Sequence, residues 1–378
     1  MRVRWDLKPG EYNNRAGTMM DSAVFERLAA TLDSLPNGFP RSQSGIELQL
    51  LRKIFSPDEA ELFCDLRLAR ETVEEIAIRT GRPLEGLAEK LDAMWWKGQI
   101  ERHGKDGDIR YNLVPWILGI YEYQLRSMDE EMARLHVKYI KSVGPYFLAK
   151  KPQMMQVVPV EREVSPANRA LPFAQVSAIL EKSRSFAVNQ CICKKQMRLI
   201  GKGCDRPQEV CMVLSETEGY FDHHPMGGRV ISREEAYDIV RVAEENALVH
   251  MTGNVRDGHV FLCNCCGCCC LQLIAARFGV KETVNSHYYA VIDQSLCTGC
   301  GTCSDSRCQV AAIELLDGAR KVVRDKCIGC GLCASTCPSE AIRIVRKDDA
   351  EITPPPEDDM DWYRRKAAEQ GIDISRFL

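Results

Sequence analysis

Nineteen cysteines stand in this chain of 378 residues, and 18 of them fall between Cys191 and Cys337. Two runs near the C-terminus have close, regular spacing. The first is Cys297-x2-Cys300-x2-Cys303-x4-Cys308, the second Cys327-x2-Cys330-x2-Cys333-x3-Cys337-Pro338. A further ten precede them: Cys191-x-Cys193-x10-Cys204-x6-Cys211, then Cys263-x-Cys265-Cys266-x-Cys268-Cys269-Cys270. The N-terminal MRVRWDLKPGEYNN has no apolar signal-peptide core, so a cytoplasmic setting is expected and disulfides are a poor explanation. Crowded thiols there bind metal more often. Zinc usually takes four ligands in two CxxC pairs, which the double run exceeds. Cys64, alone in AELFCDLRLA, reads as a small core residue.

The two runs resemble a bacterial-type two-cluster [4Fe-4S] ferredoxin. One tight loop with two-residue gaps offers three thiolates to three corners of a cubane, and the fourth comes from the other run. The resemblance implies that Cys297, Cys300, Cys303 and Cys337 hold one cluster, and Cys327, Cys330, Cys333 and Cys308 the other. Gly299, Gly301, Gly329 and Gly331 lie inside the loops, where backbone must approach the cluster and donate N–H groups to sulfur. Strand patterns YYAVID and KVVRD precede the runs, and the offset from Cys297 to Cys327 is 30 residues, an internal repeat. One departure stands out. Four residues, not three, precede Cys308, and Gln309 replaces the usual proline. Over residues 286–347, eight basic side chains against six acidic ones give +2. That favours a fixed module within a larger assembly, or an acidic docking partner.

The middle cysteines leave three readings open: one or two further Fe–S clusters, zinc or another metal, or redox-active and structural thiols. Cys191, Cys193, Cys204 and Cys211 are the first candidates for a further cluster. Adjacent cysteines such as Cys265 and Cys266 tend to point apart, so only some of Cys263–Cys270 can share a site. The whole resembles multidomain ferredoxin-like iron–sulfur proteins of anaerobes. His223, His224, His250 and His259 read as polar loop residues before they read as ligands. No dinucleotide fingerprint or P-loop appears.

The elements that position these residues suggest an α+β multidomain chain. Residues 1–43 read as loosely ordered around a short helix, Asp21–Leu32. Residues 44–150 carry two helix-start signals, at Ser56-Pro57-Asp58-Glu59 and Thr72-Val73-Glu74-Glu75, then a helix over Leu84–Gly98 and a hairpin turning at Lys105-Asp106-Gly107-Asp108. Helices followed by a β-wing resemble a winged-helix domain, and a longer helix is expected from Pro115. Residues 151–165 read as a linker, 166–285 as a cysteine-rich α/β middle region, 286–347 as the ferredoxin-like ββ/α pseudo-two-fold module, and 348–378 as a charged tail.

The net charge of −3 points neither to nucleic acid nor to an anionic membrane, and no apolar run is long enough to span a bilayer. Leu84–Lys97 carries Glu85, Glu89 and Asp92 against Lys90 and Lys97, a poor surface for a polyanion. The expectation is a ferredoxin-like subunit relaying single electrons to or from a partner oxidoreductase. The alternatives are a self-contained iron–sulfur reductase with its active site among the middle cysteines, and a redox-sensing DNA-binding regulator.

Overall fold

The computed structural model describes residues 15–104, 107–148, 150–165, 172–225, 227–280, 283–316 and 318–378. They form two compact units. One runs to Ile120 and takes in Ile374–Leu378; the other is Tyr121–Asp373.

The first unit is helical with one hairpin. Its first helix, Arg15–Asp33, is longer than expected and buries Phe25, Leu28, Ala29 and Leu32. Apolar packing therefore orders much of a segment that Gly and Asn made look loose; residues 1–14 lie outside the described part. The helices Pro57–Asp65 and Val73–Thr80 both begin in reciprocal capping boxes. Ser56 Oγ accepts from Glu59 N while Ser56 N donates to the Glu59 carboxylate, and Thr72 and Glu75 repeat the exchange. Gly81 ends the second of these in the left-handed region. The next helix is Leu87–Trp96, starting three residues later than expected because Gly86 turns left-handed before it. Strands β1 (Ile100–His103) and β2 (Arg110–Leu113) pair antiparallel, Ile100 opposite Leu113. Glu71 bridges Tyr111 as a one-residue third strand. Part of the expected turn, Lys105 and Asp106, lies outside the described residues.

The helix expected from Pro115 does not form as one piece. Ile117 is extended, Leu118 is left-handed at φ 60°, and helix resumes only over Tyr121–Tyr123 and Glu130–Leu148. Apolar periodicity across 117–135 hid a break between the two units.

The second unit is built on a seven-stranded sheet. Its strands are β3 (Met155–Val158), β4 (Ser185–Gln190), β5 (Glu209–Ser215), β6 (Arg229–Ile231), β7 (Val249–Gly253), β8 (Phe261–Cys265) and β9 (Val284–Asn285). The order is β6-β4-β5-β8-β7-β3-β9, antiparallel throughout except for the β3–β9 pair. Residues 151–165, read as a linker, thus supply a strand whose four residues are all buried. Helices Val176–Lys182 and Arg233–Glu245 cover the sheet, packing Ile179, Leu180, Ala236 and Val240 against Phe186, Met212 and Leu262.

The C-terminal strands are β10 (Tyr288–Ile292), β11 (Ile313–Leu316), β12 (Ala319–Val322) and β13 (Ile342–Arg346). β10 pairs with β13 and β11 with β12. Shifting β10 and β11 by 30 residues lands on β12 and β13, so each repeat pairs with the other rather than with itself. That exchange interleaves the two cysteine runs.

The tail as far as Asp373 is part of this unit. Trp362 Nε1 donates to Gln153 O at 2.8 Å, and the buried Lys366 ammonium donates to the carbonyls of Lys150 and Pro152. Burial lowers the Lys366 pKa from 10.5 to about 7. Between those values the unfolded chain holds one more proton than the folded one, so stability should rise with pH by up to about 1.4 kcal/mol per unit. Denaturant melts of Lys366→Met from pH 7 to 10 should lose that slope.

Candidate metal centres

The four cysteines Cys297, Cys300, Cys303 and Cys337 line one cavity, with Ile292, Arg320 and Ala341 among its other walls. Cys303 is buried and Cys300 is exposed. Cys308 lies among Cys327, Cys330 and Cys333, close enough for its charge to act on all three. Each run therefore sends its last cysteine to the neighbourhood of the other run's first three.

Backbone amides point at these sulfurs. Ala290 N donates to Cys327 Sγ at 3.4 Å, Arg320 N to Cys297 Sγ at 3.4 Å, and Ala312 N to Cys308 Sγ at 3.2 Å. Ala290 and Arg320 are equivalent across the 30-residue repeat, so β10 and β12 each serve the other repeat's first cysteine. Such N–H···S bonds stabilise the charge of a thiolate-bound cluster. Gly299 and Gly329, also equivalent, have φ of 70° and 60°, and a Cβ on either would overlap a backbone carbonyl, of Gly318 or Tyr288. Gly301 and Gly331 are left-handed as well. Two soft four-thiolate sets, donated amides and glycine cradles fit [4Fe-4S] groups.

Burial pushes the Cys330 thiol up to about 12. A thiol so disposed ionises when a metal takes the place of its proton.

The lengthened first run has a structural use. Arg307, buried in the extra turn, donates to Leu332 O, Glu245 O, Glu244 O and Ser335 Oγ, tying the loop to the end of the Arg233–Glu245 helix. Gln309 Oε1 accepts from Gly267 N at 3.0 Å. A proline there could not reach that amide. The two departures from the ferredoxin pattern thus join the module to the middle region, the lengthened run at the end of the Arg233–Glu245 helix and Gln309 at the CCGCCC turn.

The ten middle cysteines fall into two groups. Cys204, Cys266, Cys268 and Cys269 place all four sulfurs within 4.8 Å of one another. Cys191, Cys193, Cys211, Cys263, Cys265 and Cys270 form the second. Cys191 bonds Cys193, Cys211 meets Cys263 at 3.9 Å, and Cys265 adjoins both Cys263 and Cys270. Thiol contacts with these neighbours, then burial, push Cys193, Cys265 and Cys270 well above the usual thiol range. The candidates Cys191, Cys193 and Cys211 therefore share the second group, whereas Cys204 belongs with the first. Cys265 and Cys266 do point apart, but Cys268 and Cys269 turn to one side, with sulfurs 3.8 Å apart.

Buried Lys194 stands beside both groups, its charge reaching Cys191 and Cys266. Its ammonium donates to the carbonyls of Pro207 and Asn264. Beside Cys193, the buried Tyr121 hydroxyl donates to Gln196, whose amide oxygen also meets His136 Nδ1 at 2.6 Å; the two rings stack at 3.9 Å. Lys194, Tyr121, Gln196, His136, Arg307 and Gln309 carry no spacing signal, and only Gln309 stood out as a departure from a motif. His250 is not a loop residue: it sits buried in β7, Nδ1 2.6 Å from Asn264 Oδ1. Cys64 lies in the first unit, and burial raises its pKa.

Comparison with known proteins agrees with the C-terminal geometry. Residues 290–344 match the family model described as "4Fe-4S dicluster domain". A segment of 33 residues is 52% identical to F(420)H(2) dehydrogenase subunit I of Methanosarcina mazei, covering 9% of this chain and 19% of that protein. The chain thus spans about a fifth of the curated relative's length. No solved structure matches. Among the described residues no helix is long and apolar enough to cross a membrane. The C-terminal part of the chain is a ferredoxin-like iron–sulfur module, and an electron-transfer role follows from it.

Proposed function

We propose that the chain relays single electrons to or from a partner oxidoreductase through two [4Fe-4S] clusters. Cys297, Cys300, Cys303 and Cys337 would hold the outer cluster, and Cys308, Cys327, Cys330 and Cys333 the inner one. The observation that carries this reading is the interleaving of the two runs by strand exchange between repeats. When bound, the clusters accept and release one electron each; the chain insulates them, donates N–H groups to their sulfurs and sets their potentials. Exposed Cys300 makes the outer cluster the port, and the Gln309–Gly267 joint leads from Cys308 towards the middle sulfurs. The relative's printed name, a dehydrogenase subunit, supports a protein partner of the oxidoreductase kind.

The six-thiol group is proposed as a further Fe–S site. The buried Tyr121–Gln196–His136 network beside Cys193 supports the second reading, in which this site performs substrate chemistry with the module as its donor. The first unit is proposed as a winged-helix docking domain, with Ile78, Leu84 and Trp96 exposed upon it. Lys90 and Lys97 of the would-be reading helix are engaged by Asp58 and Glu59, and Arg110 by Asp108 and Glu75, which leaves little for a phosphate backbone.

A potentiometric titration followed by EPR tests this. Two one-electron cubane signals should appear on reduction; a chain that shows none refutes the relay. Arg307, whose charge reaches Cys330 and Cys333, should favour the reduced inner cluster. At a separation of about 8 Å and an effective dielectric near 20, a unit charge contributes about 2 kcal/mol. Arg307→Gln should therefore lower one potential by about 50–100 mV, with a smaller change in Arg307→Lys.

A further inference from the structure

We infer that Cys204, Cys266, Cys268 and Cys269 bind one divalent ion, zinc or iron, as a mononuclear tetrathiolate site that is separate from every Fe–S cluster of the chain. The distances carry the argument. The separations are 3.9 Å for Cys204–Cys266, 3.8 Å for Cys204–Cys269 and 3.8 Å for Cys268–Cys269. A tetrahedral ion with metal–sulfur bonds of about 2.3 Å demands sulfur–sulfur edges of about 3.8 Å. A cubane puts its four ligand sulfurs on a larger tetrahedron, with edges of about 6 Å.

The molecule supplies its own comparison. Among the described residues, this is the one group of three or more ligating side chains whose donor atoms all fall within 4.8 Å. The two ferredoxin-type quartets, drawn from the same chain, are spread more widely and do not meet that limit.

The chain geometry agrees. Cys266, Cys268 and Cys269 come from one turn closed by the bonds Cys269 N→Cys266 O and Cys270 N→Cys266 O. Gly267 at its apex is pressed against the Gln309 backbone, so the turn is held from outside as well. Cys204 comes from the loop after the Ile192–Leu199 helix and closes the fourth corner. A divalent ion with four thiolates carries a charge of about −2, and two cations face it. Arg206 Nη1 donates to Cys268 Sγ at 3.6 Å, and buried Lys194 acts on Cys266. A buried ammonium without a nearby anion would be costly, and among the described residues no carboxylate forms an ion pair with Lys194.

The site makes a countable difference, because a tetrathiolate ion contains no inorganic sulfide whereas [4Fe-4S] clusters contain metal and sulfide in equal numbers. The experiment is iron, zinc and acid-labile sulfide analysis of the full-length chain, purified anaerobically, beside a Cys204→Ser/Cys269→Ser double variant. Iron plus zinc should exceed sulfide by about one per chain. The excess should vanish in the variant while the reduced cubane EPR signals persist. High-spin ferric EPR of the oxidised chain identifies iron, and stoichiometric zinc identifies zinc; either supports the site. Equal metal and sulfide in the wild type would overturn it, as would parallel loss of iron and sulfide in the variant. The excess is read from the wild type, so a variant that fails to fold leaves the proposal testable. Failure of the relay reading would show instead in the cubane signals.

Discussion

Cys330→Ser should abolish the signal of one cluster and destabilise the fold, whereas Cys300→Ser should abolish the other signal at much smaller structural cost. The contrast follows from burial. Cys300 is exposed at the rim of its cavity. Cys330 is half-buried with a desolvated thiol, and its carbonyl accepts from Val160 N, just beyond β3. A serine hydroxyl there loses its metal in a largely desolvated place, a penalty of about 1–3 kcal/mol. For a unit of this size, that lowers the melting temperature by about 2–12 °C relative to Cys300→Ser. Two reduced cubanes in one module also couple magnetically. Either variant should therefore replace a complex wild-type EPR spectrum with that of one isolated cluster. Iron analysis and EPR spin counts check both statements, and an unchanged spectrum in both variants would refute the ligand assignments.

What could be read without coordinates divides along the range of the interactions. Ligand spacing is local, because a loop must wrap a cluster of fixed size. The two runs and their 30-residue repeat were therefore visible as letters. Capping boxes at Ser56 and Thr72 are equally local, and both form. The seven-stranded sheet was not legible, since its strands are short and find partners far away in the chain. Met155–Val158, between Pro152 and Pro159, looked like a linker because its pairing with β7 lies nearly a hundred residues on. The partition of the middle cysteines depends on that sheet. Cys263 and Cys265 alternate with Asn264 along β8 and so share a face, while Cys266 begins the turn and faces elsewhere. The period of two in Phe261–Cys265 was the available signal; without a strand assignment it could not be used. Leu118 adopts a left-handed conformation that no spacing rule anticipates, and it breaks the helix that periodicity proposed.

The joint between the two cysteine-rich parts should be highly sensitive to substitution. Gly267 N donates to the Gln309 side chain, and a Cβ on Gly267 would overlap the Gln309 carbonyl oxygen and carbon. The obstacle is backbone on both sides, so no rotamer relieves it. Either the CCGCCC turn or the loop after Cys308 must move. Gly267→Ala should therefore cost about 3 kcal/mol or more, a drop of about 6–12 °C in melting temperature. Gly279→Ala is the control for a glycine with room for a Cβ. Unlike Gly267, Gly279 has positive φ, 88°, but nothing lies within 4 Å of its Cβ position, so conformational strain alone, without overlap, should cost about 1 kcal/mol. If the joint carries electrons between the module and the middle sulfurs, Gly267→Ala should also slow reduction of any middle cluster by more than tenfold while leaving the rate at the outer cubane unchanged. Stopped-flow reduction at matched potential distinguishes the two rates. Equal rates in variant and wild type, with the drop in stability observed, would mean that the contact holds the parts together without conducting between them.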